Sequence, residues 1–98
     1  MQFDHYQTLY AAFNQDHFPN ASLEEIEDKM LEEMDELAFE IADSGSLEKK
    51  IEEAVDVFNM SVKLLTAYGV KDICHAAAAK LDLTSAKYTA QKELEKAE

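Results

Sequence analysis

Two glycines, one proline, one cysteine and no tryptophan stand out as scarcities in this 98-residue chain. So little glycine and proline leaves few residues for the tight turns that hairpins and sandwiches need. β-Branched residues are sparse beside Ala, Leu, Glu, Lys and Met, a balance that favours helix. The lone Cys74 has no partner for an internal disulfide and no second cysteine at zinc-ligand spacing. Without tryptophan, any aromatic platform must use Phe or Tyr. No apolar run approaches the length of a membrane span. Met1 to Tyr10 lacks the basic start and apolar stretch of a signal peptide, so the expectation is a soluble, cytoplasmic protein. Positive charge is scarce too: 9 basic against 21 acidic side chains give a net charge of −12. That argues against a nucleic-acid backbone or an anionic membrane as a partner bound by charge. A small anionic substrate stays open only where metal ions or a few local lysines reverse the field.

What the chain does have is 47% apolar residues, enough for one small core over residues 1–98. Phe3, Tyr6, Leu9, Tyr10 and Phe13 recur at helical spacing, predicting a first helix over 3–14. Asp16 to Ala21, with Pro19, reads as a turn. Ser22 followed by Glu25 matches a capping box and opens a second helix to about Ala42, striped by Leu23, Ile26, Met30, Met34, Leu37 and Ile41. Asp43-Ser44-Gly45-Ser46 breaks it, and Ser46 caps a third helix over 47–68. Gly69 suits the residue after that helix. A fourth helix is expected over 70–81, its Ala76 to Ala79 run permitting close packing, and a polar, helix-prone tail over 84–98. The third helix is apolar on two sides: Leu47, Ile51, Val55, Phe58, Val62 and Leu65 form one stripe, and Val57, Met60 and Leu64 lie nearly opposite beside Glu53 and Asp56. A helix apolar on two sides is covered on two sides, so the stripe is expected to pack within the subunit and the carboxylate side to meet another helix or another subunit. The class is all-α, a bundle of four or five helices completed by oligomerisation into a homodimer or homotetramer.

One pattern occurs twice, twenty positions apart: Lys29, Glu32, Glu33, Glu36 and then Lys49, Glu52, Glu53, Asp56. Each copy sets carboxylates one turn apart on one side of a helix, where like charges repel. A divalent cation between the helices removes that penalty. Glu33 and Glu36 facing Glu53 and Asp56 across antiparallel neighbours would supply the hard oxygen ligands that magnesium prefers.

Glu32-Glu33-x-x-Glu36, sixteen residues, then Glu53-x-x-Asp56 resembles the EExxE…ExxD signature of the all-α nucleoside triphosphate pyrophosphatases, the MazG-like group. The resemblance covers about 22–68 and extends to the contexts around Lys29 and Lys49. It implies magnesium-dependent cleavage of a nucleoside or deoxynucleoside triphosphate to the monophosphate and pyrophosphate, with manganese as a substitute, in house-cleaning of the nucleotide pool. It further implies Glu33, Glu36, Glu53 and Asp56 as metal ligands, and Glu32 as a further ligand or the base that orients the attacking water. Lys29 and Lys49 would contact phosphates or hold carboxylates in place. Beside that resemblance, the amide of Asn59 suits a base or ribose edge, and Lys63 is a turn further on, within reach of a phosphate. Phe13, Phe18 and Tyr68 are candidates for base stacking, with core packing as the plainer role for each.

Other readings of the same residues exist. A charged run is ordinarily a solvated helix face, and Lys29 and Lys49 are also ordinary i, i+4 partners of Glu33 and Glu53. A di-iron carboxylate bundle needs Glu-x-x-His on two helices, and neither copy has a histidine at that position. His5, His17 and His75 do not cluster and suit surface or helix-end positions. Cys74 beside the alanines reads as a small buried apolar residue. The non-catalytic alternative is an acidic helical interaction module, antitoxin-like or regulatory, which accounts for the charge but not for the repeat.

Overall fold

The computed structural model of the chain describes residues 1–43 and 45–97; Ser44 of the expected break and Glu98 of the expected tail lie outside the described residues. Among the described residues there are four helices and no strand: α1 Phe3–His17, α2 Leu23–Ala42, α3 Leu47–Ala67 and α4 Ile73–Ala97. None is long and apolar enough to cross a membrane.

The helix starts follow local chemistry. The Ser22 hydroxyl accepts the Glu25 amide at 3.1 Å and donates to the Glu25 carboxylate. Ser46 accepts the Lys49 amide at 3.2 Å. Each serine thereby satisfies an amide that the first turn leaves without a helical partner. At the far end of α3, the Val70 amide reaches the Leu65 carbonyl and the Gly69 amide the Thr66 carbonyl, the paired bonds of a Schellman ending. Gly69 takes φ of 91° to make them, a conformation that costs any residue with a Cβ.

The last quarter of the chain departs from expectation. There is no short helix over 70–81 followed by a separate tail, but one 25-residue helix that begins at Ile73. Val70 belongs to the Schellman turn, and the Asp72 carboxylate accepts the His75 amide at 2.9 Å, which sets the later start. Nothing after it breaks the helix, because no glycine or proline follows Gly69 and strong helix formers fill the segment. Ile73 is its only buried residue among those described. Ala77 to Ala79 stay exposed, so the small-residue run is not used for close packing, and Cys74 is exposed rather than buried.

The centre of the subunit is the α2–α3 pair, whose contact is by far the most extensive between helices. Tyr68 donates to Glu27, Ser61 lies against Met30, and Glu53 and Asp56 lie near Glu33, so α3 positions fall as α2 positions rise and the helices run antiparallel. The carboxylate side of α3 meets a neighbouring helix, α2, as expected, but the opposite stripe is left largely outside the subunit's packing. The side carrying Glu53 and Met60 is buried, with both of those residues inside, whereas Leu47, Ile51, Val55 and Phe58 are exposed. The end of that stripe is its best-packed part, through Val62 at 2% exposure and half-buried Leu65. On α2, Ile26 is buried, Met30 and Leu37 half-buried, and Leu23, Met34 and Ile41 exposed. The core is accordingly thin: Ile26, Met60, Val62 and Ile73 are its buried apolar members among the described residues. α1 runs three residues past its expected end, buries none of its own residues, and lies against α3 through Phe3 and Tyr6 on Phe58.

Candidate metal centre

Two glutamates are buried in a subunit whose apolar core is only slightly larger. Glu33 of α2 and Glu53 of α3 are each 7% exposed, and they occupy equivalent places in the two copies of the repeat. Their surroundings match. Lys29 Nζ lies 3.1 Å from Glu33 Oε1, and Lys49 Nζ lies 3.1 Å from Glu53 Oε1. In each case the other oxygen, Oε2, is buried without a hydrogen-bond partner. Asp56, a turn beyond Glu53, completes a cluster in which one carboxylate oxygen from each of the three lies within 4.8 Å of the others.

A buried carboxylate oxygen without a partner is costly, and the approach of Glu33, Glu53 and Asp56 to one another compounds the cost by repulsion. The lysines offset one oxygen of each glutamate and leave the inner ones uncompensated. Asp56 registers the strain: burial first, then the charges of Glu33 and Glu53, push its carboxyl above the usual aspartate range. Glu36 sits exposed at the rim, outside the convergent three. The charge of Glu33 holds its carboxyl above the ordinary range. Three convergent hard oxygens with no histidine or cysteine on α2 or α3 suit a hard divalent cation, magnesium or manganese, better than zinc or a di-iron pair. The donor set and the two unpartnered oxygens fit such an ion.

A cleft of about 440 Å³ opens beside the cluster, and both Glu33 and Asp56 line it. Lys29, Asn59 and Lys63 also line it, so three of the four residues expected to touch a substrate are brought to one place. Lys49 is not. It stands away from the cleft, 3.1 Å from Glu53 and 3.8 Å from Glu52, as a counter-charge. Glu32 is exposed, 3.4 Å from Lys29 Nζ, and is likewise outside the convergent three. The bond to Glu33 raises the pKa of Lys29 and the bond to Glu53 that of Lys49, so both stay fully charged at neutral pH. Lys63 differs: burial lowers its pKa, and its Nζ lies 4.7 Å above the Phe18 ring.

The opposite wall comes from α1 and the turn after it. Tyr6, Tyr10, Phe13 and His17 follow one another along one face of α1, with stacked Tyr6–Tyr10 and Tyr10–Phe13 rings at 6.2 Å, and Phe18 continues the series. Tyr10, Phe13 and Phe18 line the cleft. Phe13 and Phe18 are about half exposed, so neither is a core residue; Tyr68 is also exposed, but it caps α3 and binds Glu27 away from the cleft. The tyrosines of this wall were legible as helix periodicity only. The signal that they share a site with α3 is the Tyr6–Asn59 hydrogen bond, which no spacing rule reveals.

No known family model, no curated protein and no solved structure matches this chain.

Proposed function

We propose that the chain is a divalent-metal-dependent nucleoside triphosphate pyrophosphohydrolase of the MazG-like kind, converting a nucleoside or deoxynucleoside triphosphate to its monophosphate and pyrophosphate. The observation that carries the reading is the pair of buried, unpartnered oxygens on Glu33 and Glu53, supplied by two copies of one motif whose carboxylates converge with that of Asp56. Glu33, Glu53 and Asp56 would hold magnesium or manganese, with Glu36 near enough to join as a fourth ligand after a change of side-chain torsion. When bound, the ion neutralises phosphate charge and makes a water molecule more acidic.

The chain's own groups do the rest. Lys29 and Lys63 offer positive charge to phosphate oxygens within a strongly acidic protein, and Asn59 offers an amide one turn from Asp56. Lys49 keeps Glu53 ionised and oriented from outside the cleft. Glu32, at the rim beside Lys29, orients the attacking water or extends the ligand set. Phe13 and Phe18 present rings on which a base can stack while excluding water from one side of the cleft.

The subunit functions as a homo-oligomer in this reading. Its accessible surface is 7679 Å², some 2,000 Å² more than the roughly 5,700 Å² expected of a folded monomer of this mass. The surplus exceeds the approximately 800 Å² that each partner gives up in a standard stable interface. A radius of gyration of 17.2 Å against about 13 Å for a compact chain says the same. The exposed Leu47, Ile51, Val55 and Phe58 face of α3 is the surface that a second copy covers. Sedimentation equilibrium showing only monomer at micromolar concentration rejects this part.

The decisive assay incubates the protein and magnesium with all common NTPs and dNTPs and measures monophosphate and pyrophosphate. Absence of turnover on every nucleotide, together with absence of calorimetric magnesium or manganese binding, leaves the acidic interaction module as the better account.

A further inference from the structure

Two apolar stripes leave the subunit without cover, and their lengths match. On α3 the stripe is Leu47, Ile51, Val55 and Phe58. On α4, Ile73, Ala77, Leu81, Thr84 and Tyr88 follow one another at steps of four and three, along one face of the helix. That face starts on the subunit's own core, where Ile73 is buried, and then runs off it: Leu81 is 68% exposed and Tyr88 61%. Ala77 to Tyr88 and Leu47 to Phe58 each cover about 16 Å at the helical rise of ~1.5 Å per residue. The α3 stripe is also notched, for Met1, Phe3, Val55 and Phe58 line an apolar cleft of about 460 Å³ that takes a large side chain such as Leu81 or Tyr88.

Charge decides which part of a second copy suits the α3 stripe. The five lysines after Gly69 balance the five acidic residues there, so the whole −12 of the chain falls on residues 1–69. A second copy that met α3 with its own α3 would bring two such acidic bodies face to face. With α4 it brings a segment of no net charge. The edges agree as well. Lys80 and Lys87 flank the Leu81 stripe and Asp82 lies on its far side, whereas Glu48 and Glu52 edge the α3 stripe on one side against Lys50 on the other. We propose that α4 is an exchanged arm: in a homodimer, the Leu81 to Tyr88 face of each copy covers the Leu47 to Phe58 face of α3 in the other. The exchange is isologous, so each copy both gives and receives an arm. The surplus surface of some 2,000 Å² over a folded monomer of this mass accommodates both contacts. This deepens the homo-oligomer part of the proposed function and rests on it.

Sedimentation equilibrium and cross-linking of the full chain test the arm. Leu81→Glu with Tyr88→Glu is expected to convert a wild-type dimer to monomer at micromolar concentration, with helix content by circular dichroism unchanged. Leu83→Glu with Leu94→Glu, on another side of α4, is expected to leave the dimer intact. For the second measurement, copies carrying Val55→Cys are mixed with copies carrying Leu81→Cys, both with Cys74→Ser, and treated with a short bismaleimide whose reach tolerates a shift of register. The expected product joins one chain of each kind, in excess over either self-pair. An excess of Val55→Cys self-pairs means that α3 meets α3, and an excess of Leu81→Cys self-pairs that α4 meets α4. Either result, the absence of a mixed product, or a dimer that Leu81→Glu with Tyr88→Glu leaves whole overturns the exchanged arm and leaves the homo-oligomer reading standing. A wild type that is only monomer removes both.

Discussion

Replacing Asp56 by Asn should have opposite effects on stability with and without metal. In the metal-free subunit, Asp56 faces two buried glutamates with ligand oxygens within 4.8 Å. Two unit charges at that distance repel by about 3.5 kcal/mol at an effective dielectric of ~20. Asp56 is itself exposed to water, and Lys49 draws its carboxyl back toward the charged form, so only a part of this survives. A gain of about 1 kcal/mol for Asp56→Asn in a chelator is the expected outcome, or roughly 4–8 °C in Tm for a domain of this size. With magnesium the order reverses. At a hundred times its dissociation constant the ion adds about 2.7 kcal/mol to the wild type. The variant, short of one of three convergent oxygens, gains much less. Thermal unfolding by circular dichroism in EDTA and in millimolar magnesium measures both states on one sample pair. If Asp56→Asn is the less stable form in EDTA, or if magnesium raises both midpoints equally, the carboxylates are not a metal centre under repulsion.

The same repulsion has a pH signature. The folded state raises the Asp56 pKa, so between the ordinary aspartate value and the raised one it binds more protons than the unfolded chain, and stability falls as pH rises through that window. In chelator, the Tm advantage of Asp56→Asn over wild type should therefore be absent below pH ~4 and grow above it, which a pH series of melts checks. Lys29→Met and Lys49→Met should each lower the midpoint of a urea melt, because each leaves a buried glutamate without its cation. Only Lys29→Met should also raise KM, since Lys49 does not line the cleft; an equal KM change in both would contradict the assignment. Gly69→Ala should cost about 1 kcal/mol with no steric contribution, as nothing lies within 4 Å of the added methyl, and a cost near zero in denaturant melts would mean the Schellman turn relaxes.

Much of the fold was readable because its determinants are local. Ser22 and Ser46 stop and start helices by bonding an amide three residues away, and Gly69 is the residue a Schellman ending demands. The repeat was readable for the same reason: a lysine four residues before a glutamate reaches it on any helix. The errors fall where the deciding contact is distant or absent. Apolar periodicity fades after Leu81, which predicts a helix and a separate tail, yet propensity alone continues the helix when nothing interrupts it. A different limit applies to Glu36, whose spacing suits a ligand: sequence does not reveal that Glu33, Glu53 and Asp56 converge while Glu36 stands exposed beside them. The joining of α1 to the site depends on Phe58 and Asn59, more than fifty positions from Phe3 and Tyr6, and no periodicity encodes such a pairing.

The use of α3 is the most informative departure, since it inverts the ordinary rule for a two-sided helix. Burying the stripe of Leu47, Ile51, Val55 and Phe58 against α2 would have placed the glutamates in water at no electrostatic cost. The fold instead turns Glu53 inward and the large apolar side chains outward. Neither half of that arrangement favours an isolated, metal-free subunit: buried carboxylates without partners repel, and exposed apolar area forgoes about 25 cal/mol per Å². Both halves become favourable when something external is added, and the two additions are different. A cation between the inner oxygens of Glu33 and Glu53 answers the first, and a second copy over the outer face of α3 answers the second. The stability of the subunit should thus depend separately on metal and on protein concentration, a coupling that a solvated charged helix face has no reason to produce.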